Sequence, residues 1–184
     1  MGDLLLMQAA KLKVFDGFNR ADSAVTLGNT NTGQAWVVSF GVFGIESNRT
    51  YAILAPSLVF VECNLSDGII YVDMPIIVAN FVNLVARYTD GNNYLRLCPV
   101  SGSWALQRRQ SSGTTTIATY GVAANNGDNV GLKMAGGSIV AIINGVEMPA
   151  VTETFNQAST KHGLLVLDAS ALTARFDNFK VVTL

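Results

Sequence analysis

The chain of 184 residues predicts an all-β protein, an antiparallel β-sandwich, on three observations. Apolar residues recur at alternate positions in short segments, the period of a half-buried strand. Clusters of Gly, Asn, Asp and Ser separate those segments at short, regular spacing, as in sandwiches and barrels. No sustained 3.6-residue apolar period follows residue 13, so crossover helices and a parallel sheet are not expected.

Residues 1–13 (MGDLLLMQAAKLK) stand apart as an N-terminal arm or docking segment. Asp3 suits the cap of a short helix whose last turn carries Lys11 and Lys13, where cations are favoured. An extended arm is the other reading. Either way Leu4, Leu5, Leu6, Met7 and Leu12 must bury against a partner or the domain, because so short a helix is marginal alone.

The sandwich domain spans residues 14–184, starting at Val14, Phe15 and Phe18. Loop-like residues 22–33 lead to Trp36, which opens a strand. Gly41 and Gly44 interrupt the aromatic run that follows, marking a bulge or close backbone approach. Ser47-Asn48-Arg49 turns the chain into residues 50–54, and an apolar strand covers residues 58–64. Ser66-Asp67-Gly68 then turns it into residues 69–78, where Pro75 demands an edge or a bulge.

Residues 79–120 hold four strands and three turns. Alternation over residues 81–88 sets Val82, Leu84, Ala86 and Tyr88 against Phe81, Asn83, Val85 and Arg87. Residues 89–93 (TDGNN) form a turn, since Gly and Asn accept positive φ. Strands follow at 94–98, 104–109 and 114–120, parted by the Pro99/Gly102 break and by Ser111-Ser112-Gly113. Val130, Leu132 and Met134 alternate before the hairpin turn Gly136-Gly137, and Asn144-Gly145 makes a second. Residues 163–168 and 174–182 supply the last strands. About a dozen such strands stack as two sheets, as in jelly rolls.

Charged residues make up 14% of the chain, against roughly 25% in an average soluble protein. Copies of the chain or a larger assembly cover part of such a surface, or Ser, Thr, Asn and Gly make it polar without charge. A net charge of −1 without a basic stripe disfavours nucleic acid. The apolar run at residues 4–7 is too short for membrane insertion. Cys63 and Cys98 lie in apolar segments and are expected as reduced core thiols.

Five short motifs occur in order: residues 15–23 (FDGFNRADS) with Leu27-Gly28, residues 32–36 (TGQAW), 44–48 (GIESN), 85–94 (VARYTDGNNY) and 175–181 (RFDNFKV). Together they resemble the concanavalin A-like, or laminin-G-like, jelly-roll domain found in tailed-bacteriophage virion surface proteins and bacterial glycan-binding modules. The resemblance covers residue 14 to the C-terminus. It implies a non-enzymatic capsid decoration protein on the virion surface, held by a major capsid or tail protein and self-associating, with a trimer as the natural guess. The alternative is a minor tail protein or a carbohydrate-binding module recognising host-surface glycans.

Candidate sites follow from residue types. Glu46, Glu62, Glu147 and Glu153 lack the E-x-D-x-x-E spacing that jelly-roll glucanases would need for two carboxylates flanking a bond. His162, the sole histidine, sits in an expected turn with no nucleophile elbow, so no catalytic residue is expected. No cofactor is expected either, beyond a structural calcium that the resemblance implies where Asp16 and Asp177 meet as the termini pair; local backbone capping is the other reading. Glycan contact would draw on Trp104, Tyr94, Arg87, Asp90, Asn92 and Asn93, an aromatic platform with polar partners. Against that, Trp104 shares a face with Leu106 and reads equally as core, and Arg87 with Asp90 reads as an ion pair holding the turn. Arg108-Arg109 reads as an exposed strand end.

Overall fold

A computed structural model describes residues 10–78 and 80–184. Leu4, Leu5, Leu6 and Met7 lie outside the described residues. The strands are β1 (Leu12–Asp16), β2 (Trp36–Glu46), β3 (Arg49–Glu62), β4 (Gly68–Ile76), β5 (Val82–Asp90), β6 (Asn93–Val100) and β7 (Ser103–Gln110). They continue with β8 (Gly113–Ala123), β9 (Asp128–Ala135), β10 (Ser138–Ile143), β11 (Val146–Glu147), β12 (Val151–Thr152), β13 (Lys161–Val166) and β14 (Arg175–Val182). A 3-10 turn at Ala169–Ala171 is the only helical element among the described residues.

Two antiparallel layers result. One runs β1-β14-β4-β9-β10, with β11 and β12 against β10. The other runs β2-β3-β13-β5-β6-β7-β8. Strand β3, 14 residues long, belongs to both, because Thr50 pairs with Phe176 of β14 while residues 57–62 pair with β13. The expected sandwich of antiparallel strands is therefore the observed architecture.

Alternation explains the core. Val82, Leu84 and Ala86 of β5 face inward with Leu95, Leu97, Trp104 and Leu106. From the opposite layer come Ile70, Val72, Met74, Val130, Leu132 and Met134. Each fully buried aliphatic side chain contributes roughly 1.5–3 kcal/mol relative to exposure. The hairpins use the turns that twist demands: Ser47-Asn48 has φ of 52° and 59°, and Asn144-Gly145 has 51° and 80°. Pro75 lies just past the last β9 partner of β4, opposite a register shift in β14, so its missing N–H breaks no regular ladder.

The domain boundary falls earlier than expected. Leu12 opens β1 opposite Val182 and stays 53% exposed, so Leu12 and Lys13 are strand residues of the sandwich. A helix reaching Leu12 is ruled out for the same reason.

The opening motif builds a buried hub. Asp16 is fully buried and accepts four hydrogen bonds: Phe18 N–H at 2.9 Å, Arg20 Nη1 at 2.7 Å, Arg20 Nη2 at 2.8 Å and Trp36 Nε1 at 2.7 Å. Around it Trp36 meets the rings of Phe18 at 6.0 Å and Phe179 at 5.1 Å, pinning the first strand to the last. Asp16→Ala strands those donors and is expected to cost about 3 kcal/mol in urea denaturation. That is the low end for a broken buried pair, because Arg20 keeps access to water. A loss under about 1 kcal/mol would contradict the hub.

Candidate functional site

The site begins with a bulge in β5. Ala86 pairs with Leu95 and Asp90 with Asn93, so β5 carries extra residues between them. Arg87 takes φ of +49° there, an uncommon conformation for a residue other than Gly. Its side chain turns to the interior, donating from Nη1 to the Glu153 carbonyl at 3.1 Å and from Nη2 to the Gly136 carbonyl at 2.6 Å. Tyr88 is thrown onto the outer face with Val85, not the inner face that simple alternation predicts.

That outer face carries an aromatic row. Phe60 of β3 and Tyr88 stack with centroids 4.7 Å apart, and Tyr88 and Tyr94 of β6 follow at 6.4 Å. Lys161 Nζ stands 5.3 Å from the Phe60 ring centroid. Leu58, Val85 and Leu165 form the apolar floor, with Phe40 partly buried against it. The Tyr88 hydroxyl is bonded to Ser39 Oγ at 2.6 Å.

Beside Tyr88 an open groove of about 520 Å³ runs between Tyr88-Thr89 and residues 156–161. The facing loop is tied to the bulge. Asn156 Nδ2 donates to the carbonyls of Arg87 and Asn93, each at 3.1 Å, and Ser159 Oγ donates to the Tyr88 carbonyl at 2.5 Å. Gln157, Thr160 and Lys161 complete the lining with an amide, a hydroxyl and an ammonium. Amides, hydroxyls and an ammonium beside the edge of one tyrosine suit a polyhydroxylated ligand, which offers many O–H groups.

The residues expected to contact glycan scatter. Trp104 is fully buried on the interior side and donates its Nε1–H to Asp128 Oδ2 at 2.8 Å, so it is core and offers no ring face. Arg87 is equally buried, and its acidic neighbour is Asp67 at 3.5 Å, not Asp90. Tyr94 joins the outer row. Asp90, Asn92 and Asn93 form the turn at the rim, where Asp90 Oδ1 accepts from Asn92 N–H at 2.8 Å and from Asn93 Nδ2 at 2.9 Å. Ser111 N–H and Ser112 Oγ brace the same turn through the Asn93 and Asn92 amide oxygens. Phe60, Tyr88, Asn156, Gln157 and Lys161 were not expected. Only the polar run at residues 156–160 marks any of them in the sequence, and then simply as a loop.

The proposed calcium ligands do not fit a cation. All four lone-pair positions of Asp16 are committed to N–H donors. Asp177 accepts from its neighbour's Asn178 N–H at 2.8 Å, and burial, with Asp73 and Asp16 nearby, raises its carboxyl above the usual range. Among the described residues no cluster of three His, Cys, Asp or Glu is suited to a metal.

The other reactive side chains are structural. Cys63 and Cys98 are free and buried, and desolvation pushes their thiols up to about 12 and about 11. Glu153 is buried against Arg108 at 3.1 Å, so Arg108 is no exposed strand end. Glu147 lies exposed beside Lys133, and Glu46 pairs with Arg175 at 2.6 Å. His162 is no solvated loop residue. It lies in β13, fully buried, its Nδ1 accepting from Arg87 N–H at 3.2 Å and its Nε2 bonded to the Leu65 carbonyl at 3.1 Å. Gly163 beside it marks a close approach, since a Cβ there would collide with the Val59 carbonyl of β3.

No protein-family model and no curated protein sequence matches the chain. Solved structures do match the fold. The carbohydrate binding module CBM66 from Bacillus subtilis is 16% identical, with a TM-score of 0.63 over 80% of this chain and 93% of that one. Domain 4 of AbnA, a GH43 extracellular arabinanase from Geobacillus stearothermophilus solved with arabinotriose, is 13% identical with a TM-score of 0.58, over 96% and 94%. SCLam, a non-specific endo-β-1,3(4)-glucanase of family GH16, is 9% identical with a TM-score of 0.62, over 95% of this chain and 91% of that one. At these identities the likeness establishes the jelly-roll sandwich and nothing finer.

His162 provides a pH test of the site's foundation. Burial lowers its pKa from 6.5 to about 4. Between those values the unfolded chain binds a proton that the folded chain refuses, so stability falls as pH drops from about 7 towards 4. The loss is expected to reach roughly 3 kcal/mol by pH 4 in urea titrations at a series of pH values. His162→Asn should flatten that part of the profile; an unchanged slope would assign it to other groups.

Proposed function

We propose that this protein is a non-catalytic glycan-binding β-sandwich whose ligand lies in the groove between Tyr88-Thr89 and residues 156–161. The observation that carries the reading is the groove itself: the edge of Tyr88, the amides of Asn156 and Gln157, hydroxyls and one ammonium around an open space of about 520 Å³. The likeness in fold to a carbohydrate binding module and to an arabinanase domain solved with a trisaccharide supports it. The carboxylates support a role without bond cleavage, because Asp16, Asp128 and Glu153 are engaged in holding the fold and no pair faces the groove. Retaining or inverting hydrolysis requires two acids across one bond.

A particle-bound setting, such as the phage capsid or tail surface, remains the reading that the opening motif and low charge density favour. Exposed Val37, Val38 and Leu54, on the free edge strand β2 and its neighbour β3, offer apolar surface for a protein partner or a second copy.

Binding is tested on a glycan array, followed by calorimetry with the retained oligosaccharide. Lys161→Ala and Gln157→Ala each remove one polar contact at a surface position, so folding should persist while affinity falls about tenfold. Trp104 variants, by contrast, should act through stability. Full affinity in a folded Lys161→Ala/Gln157→Ala double variant, or silence across host-wall and plant-wall sugars, would refute the assignment.

A further inference from the structure

The outer face continues past Tyr94 to two arginines that lack a counter-charge. Arg96 is only 8% exposed, yet its side-chain partners are neutral: Nε and Nη2 donate to Gln107 Oε1 at 3.0 and 2.7 Å, and the Tyr94 hydroxyl lies beside it. Gln107 in turn donates to Thr116 Oγ1 at 3.1 Å, which fixes the amide with its oxygen towards Arg96. Arg109 reaches Thr114 Oγ1 at 3.4 Å, and its Nε is buried without a partner. The five ion pairs among the described residues use other cations, so no carboxylate of those residues lies within 4.0 Å of either guanidinium.

Register brings the two together. Tyr94 pairs with Arg109 and Arg96 with Gln107, and residues two apart on a strand share a face. Arg96 and Arg109 are therefore diagonal neighbours, roughly 7 Å apart at their origins. A largely buried cation such as Arg96 with only neutral partners is costly, and a half-buried one beside it adds like-charge repulsion. Tyr94, Cys98, Gln107, Thr114 and Thr116 around them supply no negative charge at neutral pH, since burial raises both Tyr94 and Cys98. An anionic ligand would offset that cost, and guanidinium forks match a carboxylate or sulfate.

We propose that Arg96 and Arg109 form a subsite for the acidic group of an anionic sugar, a uronate carboxylate or a sulfate ester, with the rest of the chain running across the outer face to the Tyr88 groove. This rests on the glycan-binding reading and narrows its ligand class. Gln107 positions Arg96, and the exposed Thr114 and Thr116 leave the subsite open at the β7–β8 edge.

Calorimetry on the full chain, with trigalacturonate, a sulfated galactotriose and neutral galactotriose, tests it alongside side-chain NMR of the arginine Nε–H signals titrated with sodium sulfate. One acidic sugar is expected to bind at least tenfold more tightly than the neutral one, with affinity falling as NaCl rises. Arg109→Gln should reduce that preference to within about twofold, and Arg96→Lys, which keeps the charge but loses the fork, should weaken it in part. Equal binding of acidic and neutral sugars, or an acidic preference untouched in Arg109→Gln, overturns the subsite and leaves glycan binding standing. Sulfate shifting both arginine signals while every sugar stays silent overturns the sugar ligand and the glycan reading with it.

Discussion

The site depends on one buried charge. Arg87 sits in the interior with its guanidinium held by the carbonyls of Glu153 and Gly136, loop positions that flank β12 and precede β10. Burial lowers its pKa, and the Asp67 and Glu153 carboxylates oppose that shift. Placing a cation there is costly unless its donors are met, and meeting them requires the bulge with its positive φ. The bulge then does three things at once. It turns Tyr88 outward, it points the Arg87 N–H at His162 Nδ1, and it offers the Arg87 carbonyl to Asn156, which holds the groove's far wall. One inward side chain thus shapes an outward surface.

A pair of tryptophans fixes the frame around that site. Trp36 donates to Asp16 and Trp104 to Asp128, and each carboxylate also gathers loop donors: Phe18 N–H and Arg20 in one case, Asn125 N–H and Asn144 Nδ2 in the other. Large aromatic payloads are buried with their polar atoms satisfied. Asp16 and Asp128 are thus spent on the fold.

Most of the architecture was legible in the sequence, because strand period and turn chemistry are local. Trp36 opening a strand, the Asn144-Gly145 hairpin and the TDGNN turn all follow from residues a few positions apart. The site was less legible for physical reasons. Arg87 at positive φ has no residue-type signature, so alternation put Tyr88 on the wrong face. Gly163 beside His162 looked like a turn, whereas it is small because β3 passes against it. Alternation left Trp104 between core and platform, and only its bond to Asp128, 24 residues on, decides for core. The Phe60-Tyr88-Tyr94 row joins three strands through long-range pairing, which no linear pattern records.

The central claim is that the outer face of the β2-to-β8 layer, organised by the Arg87 bulge, is where a sugar chain sits. A crystal structure grown with an oligosaccharide that the protein retains on an affinity column tests it most directly. The account predicts sugar rings in the groove between Thr89 and residues 156–161, in contact with Tyr88 and Lys161. Sugar density on the β9–β10 face of the opposite layer, with the Tyr88 groove empty, would contradict it.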